Sequence, residues 1–336
     1  MSIHQSWRGL LPDVVREVGP RTAIYHYTSP DGLLGILQHH ELWATQASGM
    51  NDVAEVRQGW DFIDGWLEAQ DASDRAVGVM REFATEDGPN TVERELKSPE
   101  GVFMCCATLR HDDANQWRLY GGRSRGYSVE LDPRAALTML FPGTKPSPTT
   151  LKPGWIDFTE AAEQLAITPW LHVLYTDEDK TAALDGLLAA AQQKYTDFDW
   201  SLPEDDGRVE LELLEYEIWA GLARIAQLMK SEGFSGEHEV RVIVTPPQFG
   251  KDATRYRATP DGIVRYCRLT QDPAQTRKIR VVYEAEVERS KTLPIRSVTL
   301  GPLLHAQNNR ATIETLLASN KLQNVYVHTS GVPLRS

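Results

Sequence analysis

"GEHEVRVIV", Gly236–Val244, is the stretch from which the rest of the chain can be read. From Val240 the even positions are apolar (Val240, Val242, Val244), while the odd positions carry Glu237, Glu239 and Arg241 before Ile243. A strand puts alternate side chains on opposite faces, so the spacing predicts a β-strand with two carboxylates and a guanidinium on one face. Adjacent carboxylates repel, and partial burial raises that cost. Two explanations stand: Arg241 neutralises a glutamate as a structural ion pair, or the charged face lines a cleft where a carboxylate does chemistry.

Working outward, the flanking segments mix strand and helix signals. Upstream, "PDVVREV" suggests a short lead-in helix, and "TAIYHYT" a strand. "SPDGLLGILQHH" has turn residues followed by helical apolar spacing. "ELWAT" reads as a short strand; "NDVAEVRQGWDFIDGWLEA" opens with Asp52 and Glu55 three residues on, a capping-box signature. Another helical stretch follows between Asp74 and Lys97. Strands "GVFMCCATL" and "GYSVELD" flank a short helix, "DANQWRLYGG". A Pro-, Gly- and Thr-rich loop, "FPGTKPSPTTLKPGW", leads to a strand "WLHVLYT" and two longer helices, "DEDKTAALDGLLAAAQQKY" and "RVELELLEYEIWAGLARIAQLMK". After the opening stretch come strands "TRYRAT", "GIVRYCRL", "IRVVYEAEV" and "IRSVTLG", then a helix "NNRATIETLLAS" and a strand "NVYVHT". Strands and helices without regular βαβ alternation indicate an α+β fold with a mixed sheet. The expected organisation is one domain over 1–336, its core at about 20–305 and a helical insertion at about 177–231.

With 336 residues, 41% apolar and 24% charged, the chain is long enough for a sizeable core and has the composition of a soluble protein. It shows no membrane-length apolar run and no charged-then-apolar leader, so a cytoplasmic protein without a membrane partner is expected. Cys105, Cys106 and Cys267 are too few and badly spaced for a disulfide framework or a zinc cage, and no metal is expected. A net charge of −12 argues against binding nucleic acid by phosphate neutralisation alone. The charge is uneven, however. "PEDDGRVELELLEYE" is acidic, whereas "GKDATRYRATPDGIVRYCRL" and "TRKIR" are basic enough to hold a dinucleotide or a nucleic-acid strand locally.

Phosphate-binding loops, dinucleotide fingerprints and His-Glu-x-x-His are all missing from the sequence. What remains is a set of residues each open to a structural or a functional reading. His26 in "YHYTS" faces opposite to Tyr25 and Tyr27 on a strand. Asn51, Asp52 and Glu55 fit a turn and helix cap; Trp117 and Tyr120, three apart on a helix, fit core packing. Arg118, Arg123 and Arg125 fit surface charge, and "GGRSRG" a plain turn or a phosphate contact.

Taken together, "YHYTSPDGLLGILQHHELWAT", "NDVAE", "CATLRHDDANQWRLYGGRSRGYSVELD", "EHEVR" and "IRSVTLGP" resemble, across roughly Tyr25 to Pro302, the bacterial family called domain of unknown function 2971. That family in turn is similar to the ADP-ribosyltransferase superfamily, particularly the DarT-type and poly(ADP-ribose) polymerase folds. There a histidine strand precedes a "Gly-Ile-Leu" helix, the next strand carries an aromatic or hydroxyl residue, and a later strand supplies a glutamate, often as Glu-x-Glu. His26, the "GILQHHEL" helix, Trp43 or Thr45, and Glu237-His238-Glu239 fall in that order. The resemblance implies an ADP-ribosyltransferase-like fold and an NAD-dependent mono-ADP-ribosyltransferase, toxin-like or phage-defence in role, with NAD as substrate. Its acceptor would be nucleic acid or protein, and an antitoxin or defence-system protein would be a further partner; an NAD glycohydrolase, or a non-catalytic module of the same fold, is the alternative. Glu239 would stabilise the cationic sugar of the transition state, and Glu237 would act on the acceptor. The cofactor-binding residues implied are His26, Tyr27, Thr28, Trp43, Thr45, Asn51, Trp117, Tyr120, Arg123 and Arg241. Among them His26 would bind the adenosine-side ribose, Tyr27 or Trp43 would stack on nicotinamide, and arginines of "WRLYGGRSRG" would hold pyrophosphate.

Overall fold

A computed structural model describes residues 8–49, 54–84, 101–135, 137–142, 167–245, 253–259, 262–271, 281–283 and 293–333. Asn51, Asp52, "TRKIR" and most of the Pro-rich loop lie outside these residues. Strand β1 (Ile24–Thr28) runs into helix α1 (Pro30–His39) through a sequence-coded start. The Ser29 hydroxyl accepts from the Gly32 amide at 3.1 Å, and Pro30 sits where a missing N–H costs nothing. His40, in the left-handed region (φ 54°), closes the helix by donating its amide to Ile36.

Strand β2 (Leu42–Gln46), helices α2 (Ala54–Glu68) and α3 (Arg75–Ala84), strand β3 (Phe103–Thr108), helix α4 (Ala114–Leu119) and strand β4 (Tyr127–Leu131) follow. A fifth strand, β5 (Leu137–Phe141), lies in a short run that the sequence reading passed over. All five of its residues are buried, so the two-residue alternation that marks a strand is missing. "PDVVREV" forms no helix. Its Val18 amide donates to the Trp170 carbonyl and Glu17 bridges Leu171, so pairing with a distant segment overrides a weak local preference. "WLHVLYT" is a strand only at β6 (Leu171–His172), flanked by isolated bridges at Ile167 and Leu174.

The two long helices are α5 (Asp177–Thr196), capped by the Thr176 hydroxyl, and α6 (Glu204–Leu228). The N-terminal half of α6 is half solvated, whereas every residue from Ala220 to Leu228 is buried. Strands β7 (Glu239–Val244), β8 (Thr254–Thr259), β9 (Gly262–Gln271), β10 (Val281–Tyr283) and β11 (Ile295–Leu300) come next, then helix α7 (Ala306–Ser319) and strand β12 (Tyr326–Thr329).

Among the described residues all twelve strands join one mixed sheet, with β10–β5 and β11–β12 parallel and the other strand pairs antiparallel. Its pivot is β3. One edge of β3 pairs with β7 along its length, from Phe103↔Val244 to Thr108↔Glu239. The other edge is shared: β2 takes Phe103 and Met104, and β1 takes Thr108. The sheet therefore forks, with β2-β9-β5-β10 on one arm and β1-β4-β11-β12 on the other. Between the arms, the edge of β3 at Cys105–Ala107 has neither strand as partner. A cleft opens there.

Candidate functional site

The cleft has a volume of about 450 Å³. His26 sits at its fork: Nδ1–H donates at 2.8 Å to the Cys106 carbonyl, one of the groups that the diverging strands leave unpaired. A carbonyl can only accept, so the proton is on Nδ1 and the neutral ring offers Nε2 as an acceptor. Burial pushes the imidazole toward the neutral form and the nearby Arg257 charge adds to this, against the Cys106 carbonyl.

The two glutamates reach the cleft by different routes. Glu239 and Arg241 do lie on one face of β7, but Glu237 is not on the strand. It closes a 3₁₀ turn, Glu232–Glu237, and His238 in the left-handed region (φ 45°) turns the chain into β7. Glu237 reaches the same place from this turn. Lys230 Nζ lies 2.8 Å from Glu237 Oε2 and 2.8 Å from Glu239 Oε2, bridging the carboxylates. Arg241 holds Glu239 with two prongs, Nε to Oε1 at 2.7 Å and Nη2 to Oε2 at 3.1 Å, and donates Nη1 to the Gln227 carbonyl. The repulsion expected between the glutamates is thus absorbed by two cations, and the four formal charges cancel. Burial alone would push the Glu239 carboxyl up, but Arg241 and then Lys230 outweigh it and hold it at about 2.

Lys230 and Tyr175 carried no motif. The buried half of α6 ends at Leu228, and past its cap Met229 the Lys230 amide donates to the Leu174 carbonyl, while the Leu174 amide donates to the Leu228 carbonyl. These bonds aim the lysine at the carboxylates, so the helical segment builds part of the site. The Tyr175 hydroxyl accepts from the Glu239 amide at 2.9 Å, and its phenol is pushed up to about 12, chiefly by burial. Phe234, on the 3₁₀ turn, lies over the Lys230 ammonium at 5.0 Å.

Of the residues expected from sequence, His26, Tyr27, Trp43, Thr45, Tyr120, Glu237, Glu239 and Arg241 line the cleft. The Tyr120 hydroxyl donates to Glu237 Oε1 at 3.3 Å. Burial, then Glu237, makes its phenol harder to ionise. Three others are placed elsewhere. Trp117 is fully buried, donates to Asp112 and meets Tyr27 edge-on, because its side chain props the β1 strand from within. Thr28 is not a lining residue; its hydroxyl packs where Gly32 of α1 has no Cβ. Arg123 is exposed on a left-handed turn (φ 55°) outside the cleft, with Arg118 and Arg125 also exposed. Asn51 lies outside the described residues. The arginine that does line the cleft opposite the carboxylates is Arg257 on β8, whose only sequence signal was the basic "TRYR" run.

Cys106 lines the cleft as well; burial first and Glu239 second push its thiol up, which disfavours the thiolate. Among the described residues no group of three His, Cys, Asp or Glu side chains is placed to hold a metal, and no helix is long and apolar enough to cross a membrane.

A family model described as protein of unknown function (DUF2971) matches residues 116–242, less than half of the chain, and the chain is similar to that family there. The match takes in Tyr120, Lys230, Glu237, Glu239 and Arg241 but not His26, Trp43 or Arg257, and is narrower than the motif string read between Tyr25 and Pro302. No curated protein and no solved structure matches the chain.

Proposed function

We propose that the cleft binds NAD and that the protein is a mono-ADP-ribosyltransferase acting on a macromolecule, nucleic acid or protein. One convergence carries this reading. His26 from β1, Trp43 and Thr45 from β2, and Glu237 and Glu239 at the entry to β7 line one cleft, in the chain order of the superfamily resemblance. Its volume of about 450 Å³ lies in the range of small-molecule sites. In the reaction the bond between ribose C1′ and the nicotinamide nitrogen breaks, and its electron pair leaves with neutral nicotinamide, so departure needs no general acid. The remaining oxocarbenium-like sugar is stabilised by a nearby carboxylate and captured by an acceptor nucleophile, whose proton passes to a base. Glu239, kept ionised by Arg241, supplies the charge; Glu237, on the more open side, faces the acceptor. The Nε2 acceptor of His26 takes a ribose hydroxyl, and the Trp43 ring gives a flat base a surface to stack on.

A second reading, nucleotide binding without turnover, is favoured by one observation: both Glu239 oxygens are already occupied by Arg241 and Lys230. Incubating the protein with labelled NAD and separate pools of DNA, RNA and protein tests both. Nicotinamide release with a labelled pool is the expected result. Release without label identifies a glycohydrolase, and NAD bound but intact identifies the binding module. Glu239→Gln is expected to slow release on the order of 10²-fold; a folded variant working at the parent rate removes Glu239 from the chemistry.

A further inference from the structure

The two arginines of the cleft are treated in opposite ways. Arg241 is saturated by Glu239 and the Gln227 carbonyl. Arg257, across the cleft on β8, is partly buried and has no carboxylate partner among the described residues. Its Nη2 donates to Thr45 Oγ1 at 2.8 Å, its guanidinium carbon lies 5.7 Å from the centre of the Trp43 ring, and its Nε–H is buried with no acceptor. The Trp43 indole N–H in the same corner is also buried without an acceptor. A desolvated cation beside two orphaned donors is costly in a free protein. An anion in the cleft offsets the charge, and a guanidinium fixed by a hydroxyl beside a ring is suited to two-pronged contact with phosphate.

We infer that Arg257, with Thr45 and Trp43, forms a phosphate-binding end of the cleft, opposite the carboxylate end, and that it takes the diphosphate of a nucleotide. The choice of a diphosphate rests on the NAD reading; the anion site itself does not. It moves the phosphate contact from the "GGRSRG" turn, whose arginines are exposed outside the cleft, to the β8–β9 hairpin. The hairpin is positioned for this by β9, which pairs Thr45↔Tyr266 and Trp43↔Arg268 with β2 and Arg257↔Val264 with β8. The four charges around Glu239 cancel whereas that of Arg257 has no carboxylate beside it, which gives a bound ligand one direction: phosphate toward Arg257, and its sugar portion toward Glu237 and Glu239.

The test is titration calorimetry of the full chain with ADP, adenosine and inorganic phosphate, for the parent, Arg257→Gln and Arg257→Lys. The parent is expected to bind ADP about 10-fold or more tighter than adenosine. Arg257→Gln is expected to erase that difference while leaving adenosine affinity within about 2-fold, and Arg257→Lys to keep part of it. Inorganic phosphate competing with ADP in the parent but not in Arg257→Gln supports the same site. The melting temperature of Arg257→Gln should fall little, because the cation removed holds a hydroxyl and a ring but no carboxylate among the described residues. A parent that shows no preference for ADP over adenosine, or an Arg257→Gln variant that keeps it, overturns the inference. ADP held through Arg257 with no NAD cleavage sinks the transferase reading alone; NAD cleavage with KM unchanged in Arg257→Gln sinks the phosphate site alone.

Discussion

Two cations converge on the Glu239 carboxylate, and this governs what its replacement does. In the interior a paired charge is tolerable, whereas an orphaned one is not. Glu239→Gln keeps the shape but takes from both Arg241 and Lys230 the carboxylate charge that they hold. Unfolding free energy at pH 7 should fall by about 3 kcal/mol, the scale for breaking one side of a buried pair. The pH dependence has a definite sign. The folded carboxyl sits at about 2, below its ordinary 4.5, so its contribution is complete above about 4.5 and drains away as pH falls toward about 2. The gap between parent and Glu239→Gln should therefore be widest near neutrality and shrink in acid. Denaturant titrations at about pH 7 and about pH 3 measure it; a gap of equal size at both would mean the carboxylate is not held by its neighbours. His26 makes the complementary case. His26→Ala removes the donor that satisfies the Cys106 carbonyl in the fork as well as the Nε2 acceptor, so ligand affinity and stability should fall together, whereas a purely ligand-contacting residue would leave stability intact. Calorimetry and melting of one preparation read both.

Helix α2 carries two glycines that the sequence cannot tell apart. Gly59 faces α6 so closely that a Cβ there would lie 2.4 Å from the Ala226 carbonyl oxygen, and backbone cannot yield as a side-chain tip can. Gly65 is exposed and has nothing within 4 Å of its would-be Cβ. Gly65→Ala should stabilise the protein by up to about 1 kcal/mol through helix propensity. Gly59→Ala should destabilise it by about 1–3 kcal/mol despite the same propensity gain, because the helices must separate. Paired thermal melts decide; the same sign for both would mean that α2 does not pack on α6 through Gly59. The same contrast explains which elements were legible. Elements with local signatures were: α1 from Ser29 and Pro30, α5 from Thr176, β7 from its alternating valines. Elements fixed by distant partners were not. All five β5 side chains are buried, so no alternation marks it, and residues 12–18 gave up a helical pattern to pair with the segment at Trp170 and Leu171.

At the scale of the whole molecule, the site was legible where it lies on strands with paired functional signals and illegible where topology alone delivers a residue. His26, Trp43, Thr45 and Glu239 come from strands around the fork, and their order along the chain could be read. Lys230 and Arg257 could not, because a lysine after a helix and an arginine in a basic hairpin resemble surface charge until the sheet brings them to the cleft. Three partly buried histidines give the protein a pH response of its own. Burial lowers the proton affinity of His26, His40 and His172, with Arg257, Lys321 and Arg16 respectively acting in the same sense. The unfolded chain takes up these protons below about pH 6.5 while the native state resists them, so the unfolded state binds more protons and stability is lost as pH falls. An opposing effect exists, since a chain of net charge −12 relieves self-repulsion as it is protonated. The three histidines are partly buried and their proton affinity is lowered locally, whereas the net charge is spread over the surface and screened by salt. The histidine effect should therefore win: in about 0.15 M salt, unfolding free energy at about pH 5.5 should lie below that at about pH 7.5. His26→Asn, which keeps an N–H donor but cannot titrate, should show a shallower decline. If stability instead rises toward pH 5.5, relief of the acidic charge dominates and the buried histidines are not the source of the response.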